Sequence, residues 1–405
     1  MSKKALFIGF VWPEPETTAA GRRMLQLLTS FKESCYEVVF ASTAQHTAYS
    51  ANLADLEIKT VQIQLNQSSF DDFIKNLKPT IVIFDRFMIE EQFGWRVAEF
   101  APQALRILNT EDLHSLRNTR EACHKKGEEF TTEKWLESDI TKRELASIYR
   151  SDLTLIISPA ETKLLKSVFS IPEDILFTLP FMLEESLKEP PTFEARKDFI
   201  FIGNGKHAPN VDAIKYLNES IWPAIRNELP NSKLNVYGAY LPQQINQMHD
   251  PSTGFLVHGW LKDLDKTLQN TRVNLAPLRF GAGLKGKVID GIRNGTPTIT
   301  TAIGAEGIPD VGISYDNALE FAQKAIGIYT NKEEWLKMQQ LGFKILSIYF
   351  SKEQLAPTLF SKIDILKNKL QEHRNKNFIG SLLQHQTMAS TKYMSKWIAE
   401  KNKKK

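Results

Sequence analysis

The stretch PLRFGAGLKGKVIDGIRNGTPTITTAIGAEGI, residues Pro277–Ile308, decides how the chain is read. An apolar run ends at Pro277, and Gly281, Gly283 and Gly286 then crowd a turn. A helical pattern follows from about Leu284 to Asn294, before a second apolar run at Pro297–Thr301. Glycines let backbone N–H groups approach an anion, and a helix N-terminus carries partial positive charge. Lys285 and Lys287 stand in the first turn, where the helix dipole disfavours cations. A bound diphosphate would explain them; an ordinary glycine-rich turn with solvated lysines is the competing account. Asp290, three residues after Lys287, shares its helical face. Its carboxylate could accept two hydrogen bonds from a ribose diol, and a cap or ion pair is the alternative.

Outward from this stretch, short apolar strands alternate with amphipathic helices. Strands are expected at Ala5–Val11, Glu37–Ala41, Val61–Leu65, Thr80–Phe84, Leu105–Asn109, Leu153–Ser158 and Ile175–Leu179. After a polar linker at Glu184–Lys197, containing Pro190-Pro191, they resume at Asp198–Gly203, Lys233–Gly238, Phe255–Gly259, Arg272–Pro277, Pro297–Thr301 and Gly312–Tyr315. Continuous apolar runs such as Ile81-Val82-Ile83-Phe84 belong to parallel sheets covered on both faces. The expected fold class is therefore α/β, two doubly wound Rossmann-like domains facing an interdomain cleft, since such sheets bind ligands at the carboxyl ends of their strands. The domains run over residues 1–190 and 191–350. A C-terminal helix, 351–370, is expected to cross back to the first domain, and 371–405 reads as a basic tail.

Composition narrows the function. The chain has 405 residues, 42% apolar and 24% charged, typical of a globular protein. Two cysteines, Cys35 and Cys123, cannot build a disulfide framework or a cysteine-based zinc site. No apolar run is long enough to span a bilayer. Met1-Ser2-Lys3-Lys4 and the apolar run after it imitate a signal peptide, but Pro13-Glu14-Pro15-Glu16 follows without a cleavage site, so a buried first strand is expected. The net charge is +4, yet residues Ile365–Lys405 carry +8, leaving −4 on the rest. A nucleic-acid groove in the body is thereby disfavoured. No GxxxxGK[ST] loop occurs, and no GxGxxG follows the first strand.

The segment from Phe201 to Ile308 resembles the donor domain of retaining glycosyltransferases of the GT-B fold, especially glycosyltransferase family 4. The resemblance rests on Phe201-Ile202-Gly203, Pro209-Asn210-Val211-Asp212-Ala213, Ile221-Trp222-Pro223, Val236-Tyr237-Gly238, His258-Gly259-Trp260, Ala276-Pro277-Leu278-Arg279, the loop Gly281–Val288, and Gly295-Thr296-Pro297 through Gly304-Ala305-Glu306-Gly307. The first domain is similar through Gly21-Arg22-Arg23 and Asp112-Leu113-His114-Ser115-Leu116-Arg117.

This resemblance implies that Lys287 contacts the donor diphosphate and that Asp290 takes the place of the family's ribose-binding glutamate. It implies a donor site formed by Gly203, Asn204, Lys206, Gly238, Gly281, Gly283, Leu284, Lys285, Lys287 and Asp290. His114 would face the donor sugar and act in catalysis with Lys287 and Asp290. Gly21, Arg22, Asp112 and Arg117 would lie on the acceptor side. Two positions depart from the pattern: Ala282 stands where the first glutamate of the pair usually is, and Asn204 replaces an Arg for which Lys206 could substitute.

The implied activity is hexosyl transfer from a UDP-, GDP- or ADP-sugar to a glycan, lipid-linked or protein acceptor in glycan, polysaccharide or glycolipid synthesis. No cofactor beyond the nucleotide sugar, no metal and no nucleic acid are expected. The Asp263-Leu264-Asp265 triplet resembles a metal-binding DxD but opens a helix, where N-capping accounts for it; Asp71-Asp72 likewise opens a helix. A nucleotide-sugar 2-epimerase and a non-catalytic nucleotide-sugar-binding scaffold are the competing readings. The expected location is the cytoplasm, with peripheral contact of the basic tail to the anionic inner face of the membrane, because Tyr393, Met394, Trp397 and Ile398 would line one helical face among lysines.

Overall fold

The computed structural model describes residues 3–184, 189–309 and 315–403. The first lobe is built on a seven-stranded sheet: β1 (Lys4–Gly9), β2 (Glu37–Ser42), β3 (Lys59–Gln62), β4 (Ile81–Asp85), β5 (Leu105–Asn109), β6 (Leu153–Ile156) and β7 (Leu176–Thr178). Their order is β3-β2-β1-β4-β5-β6-β7, and all pairs are parallel. The second lobe holds β8 (Lys197–Ile202), β9 (Leu234–Tyr237), β10 (Phe255–Gly259), β11 (Thr271–Ala276) and β12 (Thr298–Thr300), ordered β10-β9-β8-β11-β12 and again parallel.

Residue alternation explains why the first-lobe strands are apolar throughout. In β1, Ala5 and Phe7 enter the core on one face while Leu6 and Ile8 enter the core on the other. In β4, Ile81 and Ile83 divide from Val82 and Phe84 in the same way. Successive side chains point to opposite faces, so a strand covered on both needs no polar positions. The second lobe packs its own core around Phe199, Phe201, Trp222, Val236 and Trp335.

A further cluster joins the lobes. Ile157 and Phe181 of the first pack with Leu284, Val288, Ile289 and Ile292 of the second, beneath Ile345, Leu346 and Phe350. The chain then returns: Leu183 N–H donates to the Phe350 carbonyl at 2.7 Å, and Lys352 N–H donates to the Leu183 carbonyl at 2.8 Å. The helix Lys352–Asn368 buries Leu359, Ile363 and Leu366 in the first-lobe core.

The stretch read as a basic tail is helical and docked. Arg374 forms an ion pair with Asp152 and donates to the carbonyls of Pro102 and Ala104. Beyond it the helix Phe378–Lys403 packs on the helices Phe87–Phe100 and Asp139–Arg150. The expected strand Gly312–Tyr315 lies outside the described residues except for Tyr315, whose N–H donates to Thr300. Most of the linker's first residues, 185–188, also lie outside them.

Candidate active site

In each sheet the strand order reverses beside its first strand, between β1 and β4 and between β8 and β11. Loops leaving such a switch point diverge and open a crevice. Here the two crevices face each other and form one cleft of about 620 Å³, large enough for a small organic ligand. Every residue expected at the site lines this cleft: Gly21, Arg22, Asp112, His114, Arg117, Gly203, Asn204, Lys206, Gly238, Gly281, Gly283, Leu284, Lys285, Lys287 and Asp290.

The glycine loop leaves β11 and enters the helix Gly286–Arg293, whose N-cap, Lys285, makes no side-chain cap hydrogen bond. Gly283 has φ +66°, and a Cβ there would lie 2.8 Å from the Cβ of Asp112. At Gly286 a Cβ would lie 2.4 Å from that of Ala19. These glycines therefore allow the loop to lie directly against the first lobe, besides turning the chain.

The two lysines of this loop do different work. Lys285 is buried and donates to the Gly283 carbonyl at 2.6 Å. Burial lowers its pKa, against the pull of Glu306 and Glu161. It braces the loop from within and is not a solvated side chain. Lys287 Nζ donates to Asn210 Oδ1 at 2.5 Å. Burial, then the charge of Lys285, pull it down to about 7. Asp290 pairs with Arg22 across the cleft, so Arg22, expected on the acceptor side, reaches the donor half. Burial nevertheless raises the Asp290 pKa.

Asn204 also spans the lobes, its Nδ2 donating to the Thr17 carbonyl at 3.4 Å. Lys206 Nζ lies 3.5 Å from the centroid of the Tyr240 ring. Gly203 and Gly238 bring backbones together, since a Cβ on Gly238 would lie 2.0 Å from the Gly203 carbonyl oxygen.

Opposite stands the start of the helix His114–Lys126. His114 Nδ1 lies 3.1 Å from the Asp112 carbonyl and 3.2 Å from Asp112 Oδ1. Burial pulls its pKa down to about 4, so it is neutral near pH 7. With two oxygens against Nδ1, the proton belongs there, and Nε2 is left as an acceptor. Burial would raise Asp112, but Arg117, then His114, outweigh it and hold the carboxyl at about 2.

Several cleft or supporting residues escaped the sequence analysis. Glu161 Oε1 accepts from Leu113 N–H at 3.0 Å and from Gly283 N–H at 2.7 Å, tying the His114 loop to the glycine loop. Arg120 pairs bidentately with Glu306 and donates to the Gly281 carbonyl at 2.8 Å. Asn210 and His207 stand beside Lys287 and in the cleft wall, and Asp85 and Arg86 follow β4. The rule that ligands bind after the switch-point strands would have pointed to the residues after β4 and β8. Ala282 lines the cleft too and packs against the first-lobe core.

The Asp263-Leu264-Asp265 triplet opens a helix, as expected. Asp263 caps its helix by accepting from Lys266 N–H at 2.9 Å, and Asp265 pairs with Arg293 and accepts from Asn294 at 2.9 Å. Asp71, at the other acidic helix start, pairs with Arg96.

Comparison with known proteins agrees with this architecture. Residues 196–331 match the family described as Glycosyl transferases group 1. A glycosyltransferase from Rickettsia africae ESF-5 superposes with a TM-score of 0.64 at 12% identity, over 91% of this chain and 99% of that one. Anabaena HepE, solved with UDP and glucose, gives 0.68 at 10% identity, over 89% and 99%. Sucrose-phosphate synthase from Thermosynechococcus elongatus gives 0.65 at 13%, over 90% and 99%. No curated protein sequence matches. The fold is GT-B, as the sequence resemblance implied.

Proposed function

We propose that this protein is a glycosyltransferase of the retaining family 4 type, moving a hexosyl group from a nucleotide-diphosphate sugar to an acceptor hydroxyl without a metal. The observation that carries the reading is the convergence of the glycine loop, the uncapped start of helix Gly286–Arg293, Lys287 and Asp290 opposite His114 in one cleft. The family match over residues 196–331 supports it.

In this reading the bond between the sugar C1 and the diphosphate oxygen breaks, and a new C1–oxygen bond forms to the acceptor. The acceptor proton passes to the departing phosphate. Leaving-group charge is stabilised by Lys287, Arg22 and backbone N–H groups already fixed in place, the kind of preorganised donors that commonly supply the largest catalytic term. Asp290 receives the ribose diol, and neutral His114 accepts a hydroxyl hydrogen bond from the sugar through Nε2. Asp263 and Asp265 are already engaged as cap and ion pair, so the cationic side chains take the part a metal plays elsewhere.

The donor is a UDP-, GDP- or ADP-sugar, and HepE's UDP makes UDP the first to try. The acceptor is a glycan, a lipid-linked sugar or a protein in polysaccharide or glycolipid synthesis, and the site of action is the cytoplasm. Thermal stabilisation by each nucleotide, followed by nucleotide release from the matching sugar, tests the reading. A ligand at about 100 times its dissociation constant adds roughly 2.7 kcal/mol to stability. Stabilisation without release or transfer would leave a binding scaffold, and inversion of the sugar's C2 without transfer would show an epimerase.

A further inference from the structure

The helix Phe378–Lys403 has two unlike faces. One is fastened to the first lobe: Met388 and Ser395 are buried, Ser395 accepts from Arg96 at 3.1 Å, Gln384 accepts from Arg106 at 3.3 Å, and Lys392 pairs with Glu99 at 2.7 Å. Its start is pinned by Asn377 Nδ2, which donates to the Tyr149 carbonyl at 2.7 Å. The helix therefore cannot roll to hide its other side.

That other side is uncovered and carries two apolar patches, one at each end. Phe378 is 70% exposed, Tyr393 68%, Met394 58%, Trp397 58%, Ile379 50% and Leu382 45%. At roughly 100° per residue, Ile379, Leu382, Tyr393 and Trp397 fall within about 60° of one another, at the two ends of a face about 27 Å long whose middle is held by the exposed polar side chains Gln386 and Ser390. An exposed aromatic is ordinary when single, but Tyr393, Met394 and Trp397 together, within about one turn of helix, mark a contact surface.

Its charge setting selects the partner. Lys396, Glu400 and Lys401 are exposed beside the Tyr393–Trp397 patch, with Lys401 Nζ 5.1 Å from the Trp397 ring centroid. With Lys403, Lys404 and Lys405 following in sequence, the segment Lys396–Lys405 carries five lysines against one glutamate, a net +4. A second copy of this chain would have to bring two cationic surfaces together. An anionic lipid surface instead neutralises the lysines, while Tyr and Trp place an apolar ring below the headgroups and a polar edge among them. No helix among the described residues is long and apolar enough to cross a membrane.

We propose that the outer face of helix Phe378–Lys403 is a docking surface for an anionic lipid bilayer, with Tyr393, Met394 and Trp397 entering the headgroup region and Lys396 and Lys401 engaging lipid phosphates. None of these residues lines the cleft. The inference thus stands or falls apart from the glycosyltransferase reading, which the nucleotide assays address.

The test is co-sedimentation of the full chain with phosphatidylcholine vesicles containing about a third phosphatidylglycerol, at about 0.1 M salt. The wild type should sediment with these vesicles and far less with phosphatidylcholine alone. Tyr393→Ala with Trp397→Ala should lower the partition coefficient about tenfold, and Lys396→Glu with Lys401→Glu should do the same. Both variants should keep the wild-type melting temperature, because the altered side chains are exposed. Absence of wild-type binding, or equal binding by the Tyr393/Trp397 variant, overturns the proposal. So does concentration-dependent self-association that the same variant abolishes, which would assign the face to a second copy.

Discussion

Lys287 offers a prediction with a defined magnitude. Its ammonium sits at the cleft with its pKa pulled down to about 7 by burial and then by Lys285. A bound diphosphate would place negative charge beside it and raise that pKa. The bound state then holds more protons than the free one, so affinity is complete below pH 7 and falls as pH rises above it. In the window between the free and bound values the loss is about tenfold, or about 1.4 kcal/mol, per pH unit. At about pH 8 only about one-tenth of free Lys287 is protonated, so binding should take up about 0.9 proton. The second phosphate pKa, near 6, is already passed, so the nucleotide supplies little of this uptake. The assay is calorimetric titration at about pH 8 with UDP, or whichever of UDP, GDP and ADP stabilises the protein most. It is run in two buffers of different protonation enthalpy. Lys287→Arg should bind without proton uptake, because guanidinium stays charged. Lys287→Ala should lower turnover about 10²–10³-fold, the cost typical of a lost transition-state donor. Tight binding with no uptake in the wild type, or the same uptake in Lys287→Arg, would refute the assignment of Lys287 to the diphosphate.

Other expectations follow from single contacts. Arg22→Ala and Asp290→Ala, singly and combined, should show a coupling on the order of 1 kcal/mol in urea denaturation, since the pair is only partly buried; additivity would mean that the ion pair is inert. Asp263→Ala should cost about 1 kcal/mol as a lost N-cap and leave turnover intact, in the presence of EDTA as in its absence; rescue of chelated enzyme by Mg²⁺ or Mn²⁺ would make the triplet a metal site after all. Ile363→Ala should destabilise by about 2–5 kcal/mol, because Ile363 is fully buried in the first-lobe core; a change within experimental error would detach the returning helix from that core.

What the sequence determined by itself was local. The runs that became β4 and β5 were legible because strands covered on both faces admit almost no polar residue, and the order glycine loop, helix, strand from Pro277 to Thr300 was legible because turn glycines and helical periodicity are short-range signals. Tertiary structure alone decided which loops meet. The sheet order that brings Asp85 and Arg86 of β4 beside the loop after β1 is set by strand pairing, which leaves no trace in any one strand. Lys285 and Lys287 look equivalent in sequence, yet the first residue inside the helix is Gly286, and one lysine turns inward to brace the loop while the other reaches Asn210. Glu161 reads as a helix-start carboxylate until Leu113 and Gly283, from two different lobes, bring their N–H groups to the same oxygen. The last residues make the same point: their sequence suggests a basic tail whose apolar residues would line one face of a helix, and Asp152, Glu99 and Arg96 on the first lobe supply the partners that dock it. Periodicity and turn chemistry act over a few residues, whereas ion pairs, shared acceptors and close backbone approach depend on distances fixed only once both sheets have formed.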